Sequence, residues 1–186
     1  MFATYLQLGF EHITDLNGYD HMLFLLALCA AYRYSDWKKI LVLVTAFTVG
    51  HSITLALSVL NIIPVNSVWI EFLIPVTILA TAINNLFSRK EKVAGATYLM
   101  ALAFGLIHGM GFSNYLRSLL GDELLLPLLS FNLGIELGQL LVVVGIFLLQ
   151  FAIINTTSVK HITWNRAVSL VAGAVSLLLV LNRLPF

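Results

Sequence analysis

Charge is what this chain has least of. Only 10% of its 186 residues are Asp, Glu, Lys or Arg, and 60% are hydrophobic. A soluble globular domain carries roughly 25% charged residues, so the composition excludes that class and predicts an integral membrane protein. A mean hydropathy of +0.96 agrees. No sign of charge dominates either. The formal net charge is +1, without the basic footprint that a nucleic-acid partner requires. Cysteine is nearly absent. Cys29 is the sole one, so no intrachain disulfide is possible, and a thiol inside an apolar run packs as a small hydrophobe. The opening Met-Phe-Ala-Thr-Tyr has no basic n-region and no small-residue cleavage site close behind it, so no removable signal peptide is expected. No internal repeat or low-complexity tract stands out.

What the chain does have is apolar length. It is expected to be all-α, a single membrane domain over 1–186 with about six spans of roughly 20 residues each. Residues 3–16 alternate Tyr5, Leu6, Leu8, Phe10 and Ile13 with Gln7, Glu11, His12 and Asp15. That pattern predicts a short amphipathic helix, lying at the interface or folded back onto the bundle. Asn17-Gly18 breaks it. Spans are then expected at about 19–34, 40–60, 68–87, 95–116, 124–153 and 164–182. The first is short, so the preceding helix is expected to help it cover the bilayer. The fifth is long enough to tilt or project.

Cations set the orientation. With the N-terminus outside, the first, third and fifth turns hold Arg33, Lys38, Lys39, Arg89, Lys90, Lys92, Lys160 and Arg166, leaving Arg117 and Arg183 opposite. This bias predicts a multi-pass protein of the cytoplasmic (inner) cell membrane with both termini on the non-cytoplasmic side. Glu11, Asp15, Asp20, Glu71, Asp122 and Glu123 fall on the outer face, an acidic vestibule that would attract cations.

Within the spans a few ionisable groups recur. His21 lies just inside the first span beside Asp20, His51 in the second, His108 in the fourth and Glu136 in the fifth. Under the cation-derived orientation all lie in the outer half or near the midplane. A charge at the bilayer centre costs at least about 2.5–3.5 kcal/mol, so these groups are expected to face a shared interior cavity as a histidine cluster. Imidazole with carboxylate is a natural ligand set for a divalent metal ion such as zinc, nickel or cobalt. His12 joins only if the first helix folds back, and Glu71 near Trp69 is either part of the site or an interfacial residue. Supporting groups share faces with the ligands: Thr48 and Ser52 with His51, and Asn132 and Gln139 with Glu136. Gly105-x-x-x-Gly109 would let the His108 helix approach a neighbour closely. Towards the inner side the sequence offers little beyond Thr45, Thr77, Thr81 and Gln150, with Asn84 and Asn85 at the inner edge of the third span.

Four blocks carry a resemblance. They are Gly9-Phe10-Glu11-His12 with Gly18-Tyr19-Asp20-His21-Met22-Leu23-Phe24; Phe47-Thr48-Val49-Gly50-His51-Ser52-Ile53-Thr54-Leu55; Phe104-Gly105-Leu106-Ile107-His108-Gly109-Met110-Gly111-Phe112; and Phe131-Asn132-Leu133-Gly134-Ile135-Glu136-Leu137-Gly138-Gln139. Together they resemble the HupE/UreJ membrane proteins. The resemblance implies a six-helix accessory protein of hydrogenase or urease systems that moves nickel or cobalt, with metalloenzyme maturation proteins as partners. It places His12, Asp20, His21, His51, His108 and Glu136 at functional positions.

Two activities fit the residues. One is a divalent-metal permease or metal-delivery protein. The other is an intramembrane zinc-dependent hydrolase or transferase acting on a lipid or lipoprotein from the outer side, with Glu136 or Asp20 as general base. Adjacent residues on a regular helix point about 100° apart, so Asp20 and His21 share one metal only if the helix starts irregularly.

Overall fold

A computed structural model describes residues 1–16, 18–87, 94–119 and 124–185. These form eight α-helices, α1 (Phe2–Thr14), α2 (Asp20–Ala30), α3 (Trp37–Val59), α4 (Ser67–Phe87), α5 (Ala94–Gly111), α6 (Ser113–Leu119), α7 (Leu125–Thr157) and α8 (His161–Asn182), with a short 3-10 helix at Tyr34–Asp36 before α3. No strand occurs among the described residues. Four helices are long and apolar enough to cross a membrane, or five if the bent pair α5–α6 counts as one span. On α7 the residues Leu126, Leu129, Leu133, Leu137, Leu141, Val144 and Leu148 are exposed. Their spacing of three and four makes one continuous apolar stripe, the surface a multi-pass protein presents to lipid.

Glycines organise the interior. Lipid gives helices no hydrophobic reason to associate, so small residues that allow close backbone contact take over. A methyl group at Gly9 would overlap the Phe131 carbonyl, one at Gly134 the Leu6 carbonyl, and Gly138 lies against Phe10 and Ile13. Residue numbers rise together along both helices, so α1 runs parallel to α7. The same holds for α3 and α5. Gly50 abuts Leu102 and Leu106, Gly105 abuts Phe47, and Gly109 abuts His51 and Thr54. The Thr54 hydroxyl also donates to the Leu106 carbonyl at 2.7 Å.

The two pairs run in opposite directions. The Tyr5 hydroxyl donates to the Leu119 carbonyl at 2.8 Å, and Arg117 donates to the Ser58 carbonyl. These bonds set the starts of α1 and α7 beside the ends of α3 and α6. At the other end Gln150 receives the Tyr34 amide at 2.9 Å and donates to the Tyr32 carbonyl at 2.9 Å, placing α7 beside the start of α3. Helix α8 lies antiparallel on α4: Gly173 packs on Ala82, Asn85 meets Ser169, and Arg183 reaches the Glu71 carbonyl. That carbonyl is free because Pro75, four residues on within α4, has no N–H to offer it.

Several expectations need correction. Among the described residues only four helices, or five with the bent pair, are long and apolar enough to cross a membrane, so six spans are not confirmed. The segment expected over 19–34 forms only the 11-residue α2, about 16 Å long at 1.5 Å per residue against a hydrocarbon core of about 30 Å. Of the two placements expected for α1, it takes the second and folds back along α7. The segment expected as one span over 95–116 bends by 50° between α5 and α6. The register shared by the two glycine-packed pairs is an internal similarity that the sequence did not display. The expected turn at Ser88 to Lys92, the acids Asp122 and Glu123, and Asn17 lie outside the described residues.

Candidate functional site

A cavity of about 920 Å³ lies between α1, α2, α4, α5, α6 and the end of α8. Its wall carries Glu11, Asp15, Asp20 and Glu71, with Arg183 as a cation among them, and His12, His21 and His108 line it as well. His51 is fully buried and contacts the rings of His12 and His21 from outside the lining.

Each histidine arrives by a different route. His12 is delivered by the close packing of α1 on α7, and its ring centre lies 4.6 Å from His21 and 5.9 Å from His51. His21 is the second residue of α2, which begins at Asp20 after a turn closed by the Gly18 amide on the Asp15 carbonyl. Its ring lies 5.9 Å from His51 and 5.1 Å from His108. His51 and His108 come from the glycine-packed pair α3·α5. Phenylalanines enclose the group: Phe112 lies 4.1 Å from His12, Phe47 5.1 Å from His108, and Phe24 5.5 Å from His108.

The ring nitrogens are poorly served. Among the described residues, His12 Nε2, His21 Nε2, both nitrogens of His51, His108 Nδ1 and Asp20 Oδ1 are buried without a hydrogen-bond partner. His108 Nε2 meets the Thr77 hydroxyl at 3.0 Å. A buried polar atom left unsatisfied costs about 1–3 kcal/mol, and native structures hold few of them. Six in one neighbourhood suit a group whose bonds are completed by a guest. Two imidazoles on one tetrahedral metal, at metal–nitrogen distances of about 2.0–2.1 Å, have ring centres about 5 Å apart. The observed spacings bracket that value. As they stand, no three His, Cys, Asp or Glu side chains among the described residues are arranged to hold a metal ion, so rotation of the rings is needed to bring the nitrogens onto one point.

The other expected site residues divide between the cavity wall and the contact of α3 with α7. Asp20 opens α2 and lines the cavity, with Oδ2 3.0 Å from the Arg183 guanidinium. Glu136 does not line the cavity; its carboxylate accepts the Thr45 hydroxyl at 2.7 Å. Gln139 accepts the Thr48 hydroxyl at 2.6 Å. Ser52 donates to the Thr48 carbonyl at 2.7 Å. Asn132 Oδ1 is buried and has no partner among the described residues. Glu71 stands on the cavity wall. Sequence reasoning missed Arg183 and the Thr77 contact. Arg183 follows the last apolar helix and resembled a topological flank, though Pro75 signalled a carbonyl in need of a donor.

The fold and cavity define a polytopic helical membrane protein with imidazoles gathered at the edge of an acidic cavity. Its chain matches the family model described as HupE / UreJ protein over residues 1–183, and it belongs to that family. No curated protein and no solved structure matches it.

Proposed function

We propose that this protein captures a divalent cation of the nickel and cobalt class from the non-cytoplasmic side and passes it through the membrane or to a metalloenzyme maturation partner. The observation that carries the reading is the set of orphaned nitrogens on His12, His21, His51 and His108 beside an acid-lined cavity. Imidazole is a favoured donor for nickel and its neighbours. The described cations support the orientation: Arg33, Lys38, Lys39, Lys160 and Arg166 belong to the end opposite the cavity, and Arg117 and Arg183 to the cavity end. The two parallel pairs run in opposite senses and meet at the histidines. Transporters of inverted-repeat architecture place their sites at such a seam. Membership of the HupE/UreJ family, with the nickel and cobalt handling its resemblance implies, points the same way.

The competing zinc-hydrolase reading draws support from a cavity reached from one end. Its candidate base Glu136 stands outside the cavity lining, where it accepts the Thr45 hydroxyl. Elemental analysis of purified protein tests the shared premise: wild type retains stoichiometric metal, and His51→Ala and His108→Ala lose it. Metal-free wild type after growth in nickel sinks both readings. Nickel uptake into proteoliposomes then separates them, since tightly held zinc without uptake favours the hydrolase.

A further inference from the structure

Beyond the cavity, the inner half of the bundle is not apolar. Thr77, Thr81 and Asn85 occupy one stripe of α4 at i, i+4 and i+8, and all three are buried. They cover about 12 Å at 1.5 Å per residue. The stripe starts at the site, where the Thr77 hydroxyl touches His108 Nε2 at 3.0 Å. It ends at Asn85, which donates to the Ala27 carbonyl at 2.6 Å and to the Ser169 hydroxyl at 3.3 Å. Ser169 donates in turn to Asn165 at 3.1 Å. Asn85 lies two residues before the end of α4, and Asn165 four residues after the start of α8. The track therefore runs from the histidines to the opposite end of the helices.

We infer that His108, Thr77, Thr81, Asn85, Ser169 and Asn165 mark the inward path of the cation, opened when α8 separates from α4. The inference rests on the transport reading above. Its physical case is a gradient of affinity. Imidazole nitrogens hold nickel or cobalt firmly, and neutral hydroxyl and amide oxygens hold them weakly. Conduction requires groups that replace water yet release the ion. A carboxylate on this stripe would trap the cation, and the stripe has none. The line begins on His108, whose Nε2 meets Thr77 while its Nδ1 is left without a partner beside the other imidazoles.

The test is nickel(II) uptake into proteoliposomes alongside equilibrium nickel binding in detergent, with wild type, Thr81→Val, Thr81→Ser and Asn85→Leu. Thr81→Val keeps the side-chain shape and removes the hydroxyl. It is expected to lower the maximal uptake rate about tenfold while binding stoichiometry and affinity stay at wild-type values, a loss of turnover without loss of ground-state binding. Thr81→Ser restores uptake. Asn85→Leu behaves as Thr81→Val does; if it fails to fold, the Thr81 pair decides. Wild-type uptake rates in Thr81→Val overturn the path and leave transport standing. Binding without uptake in the wild type overturns transport itself, and the path with it.

Discussion

The pair α1·α7 and the pair α3·α5 share one backbone register and carry different chemistry. Leu6, Gly9, Phe10 and Ile13 in α1 sit as Phe47, Gly50, His51 and Thr54 sit in α3, and Phe131, Gly134 and Gly138 in α7 sit as Leu102, Gly105 and Gly109 do in α5. At matched positions the functional residues diverge. His51 corresponds to Phe10, and His108 corresponds to Leu137, which is exposed. His12 corresponds to Ile53, also exposed. Close glycine packing thus fixes how two parallel helices approach. Which face carries imidazole is decided separately, by where the pair sits relative to α2 and α4.

The sharpest way to break this comparison is to fill the glycines. Gly105→Ala and Gly134→Ala both place a methyl group on a partner's backbone carbonyl, which cannot swing aside as a side chain can. Overpacking costs about 1–3 kcal/mol and more where nothing yields. Both variants are expected to lose most folded protein in detergent, measured by thermal unfolding and monodisperse yield. Gly145→Ala is the control: nothing lies within 4 Å of its added methyl, and helix propensity predicts a gain of up to about 1 kcal/mol. Tolerance of Gly134→Ala with failure of Gly105→Ala would show that the two pairs are not mechanically alike.

The next largest effect separates their chemistry. His51→Ala and His108→Ala remove ligands supplied by the α3·α5 pair, and each is expected to lower nickel affinity by more than the roughly 10–100-fold typical of supporting residues. His12→Ala removes the only imidazole of the α1·α7 pair and is expected to fall within that range. Calorimetric titration of folded variants ranks them, and an equal loss at all three would erase the asymmetry.

A smaller effect belongs to the cavity mouth. Arg183 holds Asp20 through a partly exposed ion pair, which competes with any cation for that carboxylate. Such pairs contribute about 0–1 kcal/mol. Arg183→Gln is therefore expected to tighten nickel binding by about threefold, read in the same titration; unchanged or weaker binding would show that Arg183 only anchors α8.

The membrane class, the four blocks and the closeness of the His21, His51 and His108 rings were legible because ionisable residues are conspicuous in apolar runs. Span count was not. Hydropathy sums over a window and cannot see that α2 is 11 residues long or that α5 bends after Gly111. His12 was conditional, because its place depends on Gly9 meeting Phe131 across more than a hundred residues. The inner polar stripe was hidden because Thr77, Thr81, Asn85 and Ser169 are individually ordinary in membrane helices; only packing shows that they line up behind His108.

The seam where the two pairs meet offers the finest test. Thr45 and Thr48 on α3 donate to Glu136 and Gln139 on α7, joining one pair to the other. Resemblance to the family implies a functional Glu136, whereas the geometry gives it a partner on the half-exposed α3–α7 surface. If it is only a staple, Glu136→Gln keeps an acceptor for Thr45 and leaves nickel affinity unchanged, and Thr45→Val lowers stability by about 0.6 kcal/mol. If the carboxylate reaches the histidines once the pairs shift, Glu136→Gln weakens nickel binding about tenfold or more while Thr45→Val, which frees the carboxylate, strengthens it. Opposite signs in the two variants mark a ligand, because a staple that Glu136→Gln preserves and Thr45→Val breaks changes stability without raising nickel affinity in either.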